Sequence, residues 1–148
     1  MKLQDVNRVA YVAGPMRGRE KFNFPAFDAA AMKYREKGWT VYSPAEFDRE
    51  AVGGVWADLS DECIARIEAN LTINNCMSAD MECLCNFQVN TIILLKGWER
   101  SQGVRPEVAL GICLGMDFFL DETGEQVYPE VRITLKEPAN GETYSRNL

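Results

Sequence analysis

Apolar residues along the chain fall into short unbroken runs separated by longer stretches of helical spacing. Val9–Ala13 is such a run, the pattern of a strand buried on both faces. From Phe22 to Gly38 the apolar positions Phe27, Ala30, Ala31 and Tyr34 recur with helical period. Asn23 stands as an N-cap there, Pro25 suits the first turn, and Gly38 ends the helix. Trp39–Tyr42 reads as a second strand that stops at Ser43-Pro44. The three pieces form a β-α-β unit, which predicts a parallel sheet.

Residues 45–57, with Gly53-Gly54, read as an irregular excursion. Asp58 and Ser60 can cap a helix that runs to about Leu71, and a further helix is expected over Ala79 to Gln88. That helix feeds a strand at Thr91–Leu95. A helix from Pro106 to about Leu114, a strand at Asp117–Leu120 and an edge strand at Val131–Leu135 follow. Residues 1–135 are thus expected to form one domain, and 136–148, with Pro138 and Gly141, a polar C-terminal tail. The alternation predicts an α/β fold: a single-domain, doubly wound, flavodoxin-like (Rossmann-like) parallel sheet of about five strands with helices on both faces. Ligands of such sheets bind beyond the carboxyl ends of the strands, where 14–20, 43–48 and 96–107 fall.

A length of 148 residues suits one domain with a real core, and a 47% hydrophobic share is ordinary for a globular chain. The net charge of −6 is spread along the sequence, which argues against wrapping polymeric DNA or RNA. A small anion is still admissible, because two arginines in one loop outweigh a distant acidic surface. With no apolar run of the roughly 18–20 residues that span a bilayer and no signal-peptide core, no membrane association is expected and the chain reads as cytoplasmic. The five cysteines, Cys63, Cys76, Cys83, Cys85 and Cys113, are odd in number and irregularly spaced, as reduced thiols would be. Cys83 and Cys85 lack the partners of a tetrahedral metal site, so neither metal nor other cofactor is expected. Histidine is absent altogether. Acid–base work therefore falls to carboxylates, Lys, Tyr or Cys.

Three clusters meet at the carboxyl edge of the expected sheet. The loop "GPMRGR" places Gly14, Pro15, Met16, Arg17, Gly18 and Arg19 after the first strand. Its glycines let backbone amides approach an anion and its arginines can pair with one, although a solvated turn explains the same residues. Asp80, in "CMSADMECL", and Glu107, after Pro106, both read as acids in the first turn of a helix, where the dipole alone favours them. Two carboxylates at this edge, without histidine or metal, also fit cleavage of a glycosidic bond.

The motifs "YVAGPMRGR", "NFPAFDAA", "SADMECL" and "LLKGWERSQGVRPEVALGICLG" resemble, in order and spacing, the nucleoside 2-deoxyribosyltransferase superfamily. Within it they come nearest to the (2′-deoxy)nucleoside 5′-monophosphate N-glycosidases and to short phage and bacterial proteins of that type. The resemblance spans most of residues 8–115. It implies that Glu107 is the nucleophile of a covalent glycosyl ester and that Asp80 handles the proton on the departing base. Tyr11 and Gly14 match the aromatic and glycine of the first strand and its loop, and Tyr11 joins the catalytic group. Asn90, where many relatives carry Asp, reads as structural.

Ser101, just upstream of Glu107, stands where free-nucleoside transferases have an aspartate for the 5′-hydroxyl. A carboxylate there would repel a phosphate, whereas a serine donates to one. The monophosphate glycosidases resemble this chain at that serine, and also in a Gly-x-x-Arg-Gly loop whose arginine aligns with Arg17. The implied substrate is a nucleoside 5′-monophosphate held by Gly14 to Arg19, Ser101 and Gly103, with base-pocket candidates Phe22, Asn23, Phe24, Trp98 and Glu46. The implied activity is hydrolysis to free base and sugar 5-phosphate. The alternatives are deoxyribosyl transfer, or nucleotide binding or sequestration without turnover. A homodimer or higher homo-oligomer is implied by resemblance only.

Overall fold

The computed structural model describes residues 7–55 and 57–136. Strand β1 (Val9–Ala13) leads through a short 3-10 turn, Glu20–Asn23, into helix α1 (Phe24–Glu36) and strand β2 (Thr40–Tyr42). Helices α2 (Pro44–Ala51), α3 (Asp61–Asn70) and α4 (Ile73–Asn86) follow. The chain then forms β3 (Thr91–Leu94), a 3-10 turn at Trp98–Arg100, α5 (Val104–Cys113), β4 (Asp117–Leu120) and β5 (Gln126–Val127). The sheet order is β2-β1-β3-β4-β5. β1 to β4 pair in parallel, and the two-residue β5 runs antiparallel on β4. This is the predicted flavodoxin-like α/β architecture.

The continuous apolar runs of β1 and β3 arise because both sheet faces are covered. Ala10, Val12 and Ile93 pack on one face with Phe27, Ala31, Cys63 and Ile67 of α1 and α3. Tyr11, Ala13, Ile92 and Leu94 pack on the other with Leu84, Val104 and Val108 of α4 and α5. Gly111 lets α5 sit close to the sheet, since a Cβ there would come within 2.6 Å of Ile92 and 2.9 Å of Phe118. Asn90 ties β1 to β3: its Oδ1 accepts from Val9 N at 3.1 Å, and its Nδ2 donates to the Asn7 carbonyl at 3.2 Å. Successive connections from β1 and β3 cover opposite faces. A crevice therefore opens beyond their carboxyl ends, the usual ligand position in such sheets.

Three sequence expectations are corrected. The excursion at 45–57 contains α2, whose buried face mixes Ala45 with the charged Glu46, Asp48 and Arg49 and so forms no apolar stripe. The helix expected from Ala79 begins at Ile73, capped by a reciprocal Thr72–Asn75 capping box. Val131–Leu135 is exposed, forms no strand and has no ladder partner, and the edge strand is Gln126–Val127 instead. The tail expected at 136–148 lies, beyond Lys136, outside the described residues. No helix among the described residues is long and apolar enough to cross a membrane.

Candidate active site

Tyr11 points from the middle of β1 to the α4–α5 side of the sheet and is fully buried. Its hydroxyl donates to Glu107 Oε1 at 2.9 Å. Glu107 occupies the first turn of α5, where helix N–H groups favour negative charge, yet only 7% of it is exposed. Because α4 starts at Ile73, Asp80 lies in that helix's interior rather than its first turn, so capping does not account for it. It is 8% exposed, and its Oδ1 is buried with no hydrogen-bond partner. A buried unpaired carboxylate oxygen is costly for a fold and belongs to a site awaiting a ligand or a proton.

Both acids line a cleft of about 820 Å³ at the carboxyl edge of the sheet. One wall is the loop Gly14–Arg19. Gly14 is required there, since a Cβ would come within 2.7 Å of Leu95 at the end of β3. Asn23 braces this loop by donating from Nδ2 to the Pro15 carbonyl at 2.9 Å. The adjoining Lys21, Phe22 and Asn23 all have φ between 49° and 61°, strained values for residues with a Cβ. A second wall comes from Gly97 and Arg100 to Gly103, so Ser101 and Gly103 face the same space. The Arg19 guanidinium lies over Gly97, where an added Cβ would come within 3.0 Å of its Nη2. The third wall carries Asp48 of α2, Ile67 of α3, Leu71, and Ile73, Cys76 and Met77 of α4.

Burial and mutual repulsion dominate the electrostatics. Glu107 is pushed well above the ordinary carboxyl range by burial, then by the charge of Asp80, and the Tyr11 hydrogen bond opposes the shift. Burial, then the charge of Asp48, raises Asp80 to about 7, again against the Tyr11 hydroxyl. Asp48 is itself raised to about 6 by burial, although the Cys76 thiol, Arg17 and Arg49 stabilise its anion. The Tyr11 phenol is raised by burial and by Glu107 and Asp80, so it stays a donor. Close buried carboxylates titrate as one system, and here the set retains protons into the neutral range.

The cleft thus brings together Glu107, Asp80, Gly14, Pro15, Met16, Arg17, Gly18, Arg19, Ser101 and Gly103, with Tyr11 directly behind Glu107. Phe22 also lines it. Other candidates lie elsewhere. Phe24 is fully buried in the core beneath the Arg49 guanidinium, 4.9 Å from its ring centroid. Trp98 packs against the Tyr11 side of the core, and Asn23 acts on the loop backbone. Glu46 is bound by Arg35 through contacts of 2.6 and 2.8 Å.

Sequence reasoning missed Asp48 and the apolar wall from Ile67 to Met77. Ser43 with Glu46 three positions later was an available helix-start signal for α2. In the structure, however, Ser43 forms no side-chain cap.

The profile of a family described as a domain of unknown function, DUF4406, matches residues 8–119. No curated protein and no solved structure matches the chain.

Proposed function

We propose that this chain, which belongs to the DUF4406 family, hydrolyses the N-glycosidic bond of a (2′-deoxy)nucleoside 5′-monophosphate. The observation that carries the reading is the buried pair of Glu107 and Asp80 on one cleft, with Tyr11 hydrogen-bonded to the glutamate. A shared proton on two close carboxyls supplies one anion and one acid near neutral pH, the combination a retaining glycosidase needs. The order of motifs that resembles the monophosphate N-glycosidases supports the same reading.

Tyr11 donates to Oε1 of Glu107 and favours the anion there, which leaves Oε2 to attack C1′ of the sugar. As the C1′–N bond breaks, its electron pair stays on the base, and Asp80 delivers the proton that base needs. Water then attacks C1′ of the glutamyl ester, Asp80 takes its proton, and Glu107 leaves as carboxylate. The sugar 5-phosphate is released with retained configuration. The phosphate is assigned to the loop of Gly14 to Gly18 with Arg19, Ser101 and Gly103, which line the cleft and can supply backbone amides, a guanidinium and a hydroxyl. The cleft volume of about 820 Å³ falls in the range of small-molecule sites.

The test is incubation with the common and modified nucleoside 5′-monophosphates, with chromatography for free base and sugar 5-phosphate. Base release that vanishes in Glu107→Gln is expected. Absence of free base from every nucleotide would remove the proposal. A new nucleotide formed when a second free base is added would convert the hydrolase into a transferase.

A further inference from the structure

We propose that Asp48, assisted by Arg17, reads the base, and that the protein selects nucleotides whose base carries an exocyclic amino group beside an unprotonated ring nitrogen, as in cytosine and adenine. The inference rests on the glycosidase reading of the same cleft and goes beyond it by naming the base class.

The argument begins with which wall remains free. Glu107 and Asp80 fix the place of C1′. The phosphate lies toward Ser101, Gly103 and Arg19. A base attached to C1′ must then extend toward the third wall, which holds Asp48 among Ile67, Leu71, Ile73 and Met77. These apolar side chains suit the faces of a flat ring; Glu68 of α3 lines the same wall but is exposed, whereas Asp48 is a buried carboxylate among them.

Asp48 is 9% exposed, and the neighbours that stabilise its anion are Cys76, Arg17 and Arg49. Arg49 is committed elsewhere: it is fully buried and paired with Asp28 through bonds of 2.9 and 2.5 Å. Arg17 lines the same cleft from the Gly14–Arg19 loop, and its charge acts on both Asp48 and Cys76. The cleft thus offers an acceptor on the third wall and a donor on the loop wall. Asp80 adds an independent sign of a ligand here, since its Oδ1 is buried and unpartnered on the same cleft.

An ionised carboxylate only accepts hydrogen bonds, and a guanidinium only donates. Cytosine presents an amino donor beside an acceptor nitrogen and meets both. Uracil presents a carbonyl beside an N–H and meets neither, which leaves buried polar groups opposed. The reading gives Arg17 to the base and leaves the phosphate to the loop amides, Arg19 and Ser101.

The test compares dCMP with dUMP, which differ in this edge alone. Rates of base release are measured with the wild-type protein and Asp48→Asn. Binding of the same pair is measured by calorimetry on Glu107→Gln and on Glu107→Gln combined with Asp48→Asn. The wild-type protein should prefer dCMP by roughly 10- to 100-fold, and Asp48→Asn, which can donate to a carbonyl, should erase or reverse that ratio. Equal handling of the two nucleotides by the wild-type protein, or an unchanged ratio in Asp48→Asn, overturns the inference. If no nucleotide yields base while binding still prefers dCMP, the glycosidase reading fails and the base assignment stands. No binding of either nucleotide ends both.

Discussion

The Tyr11 hydroxyl, sealed in the core of the sheet, donates to Oε1 of Glu107 at 2.9 Å. It is the influence that holds the glutamate's pKa down, against burial and the charge of Asp80. Removing it in Tyr11→Phe should raise the Glu107 pKa further, so less of the glutamate is ionised at neutral pH. The expected result is a kcat lower by about 10- to 100-fold with KM nearly unchanged, and an acidic limb of the pH–rate profile moved to higher pH. A lowered rate with an unmoved limb would mean that Tyr11 serves packing alone.

Glu107→Gln keeps the shape and an acceptor for the Tyr11 hydroxyl but removes the proposed nucleophile. Base release should fall by about 10³-fold or more, while circular dichroism stays that of the native protein. In the wild-type protein, rapid quenching during turnover followed by mass spectrometry should find a sugar phosphate ester on the peptide containing Glu107. A modified peptide elsewhere, or undiminished release by the variant, would end the nucleophile assignment.

The sequence exposes those parts of the fold in which apolar period and burial coincide. β1 at Val9–Ala13 and β4 at Asp117–Leu120 lie where the apolar runs place them. α2 was illegible because it buries charge: Glu46 answers Arg35, Arg49 answers Asp28, and Asp48 faces the cleft. A helix with such an inner face has no apolar stripe, and its partners come from distant segments that no local window contains. The same blindness hid Asp48 from the site. The strand pattern of Val131–Leu135 is real as a local preference, but among the described residues it pairs with no strand of the sheet. Glu107, Asp80 and the glycine–arginine loop were legible because motif order survives without knowledge of the packing.

Ser101 shares the cleft wall with Gly103, the wall to which the proposed substrate's phosphate is assigned. Ser101→Asp brings a like charge to a 5′-phosphate and should cut kcat/KM for a monophosphate by about 100-fold, with a far smaller effect on the free nucleoside. Ser101→Ala should cost about 10-fold on the monophosphate. Equal losses on both substrates would show that the hydroxyl does not touch the phosphate.

Gly14 is set by space, since a Cβ would meet Leu95 Cβ at 2.7 Å and Leu95 Cδ1 at 2.9 Å. Gly14→Ala must push the loop or the end of β3 aside. Overpacking of this kind costs about 1–3 kcal/mol, and the shift displaces the amides of the proposed phosphate loop. Denaturant unfolding should show that loss, and KM for monophosphates should rise more than kcat falls. Full stability in the variant would show that Leu95 yields without cost.

The raised carboxyls also carry a cost in stability, with a definite sign. Unfolded, Asp80 titrates near its ordinary 3.8, and folded near about 7. Between these values the folded state holds a proton that the unfolded state has lost, so stability falls as pH rises through the window. Asp48, raised from 3.8 to about 6, acts in the same direction over a narrower range. The protein should therefore be more stable at pH 5 than at pH 7.5. Asp80→Asn removes the wider of these two windows and should flatten the dependence. At pH 7.5 the shift corresponds to about 4 kcal/mol, and after the cost of burying an amide in place of the acid the variant should gain roughly 1–2 kcal/mol, which for a chain of this size is a rise in Tm of about 4 °C. Base release should fall in the same variant, because the proton for the departing base is gone. Thermal unfolding of both proteins across pH 5–8 decides the matter. Parallel curves would show that Asp80 titrates as an ordinary carboxylate, and the shared proton of the mechanism would go with it.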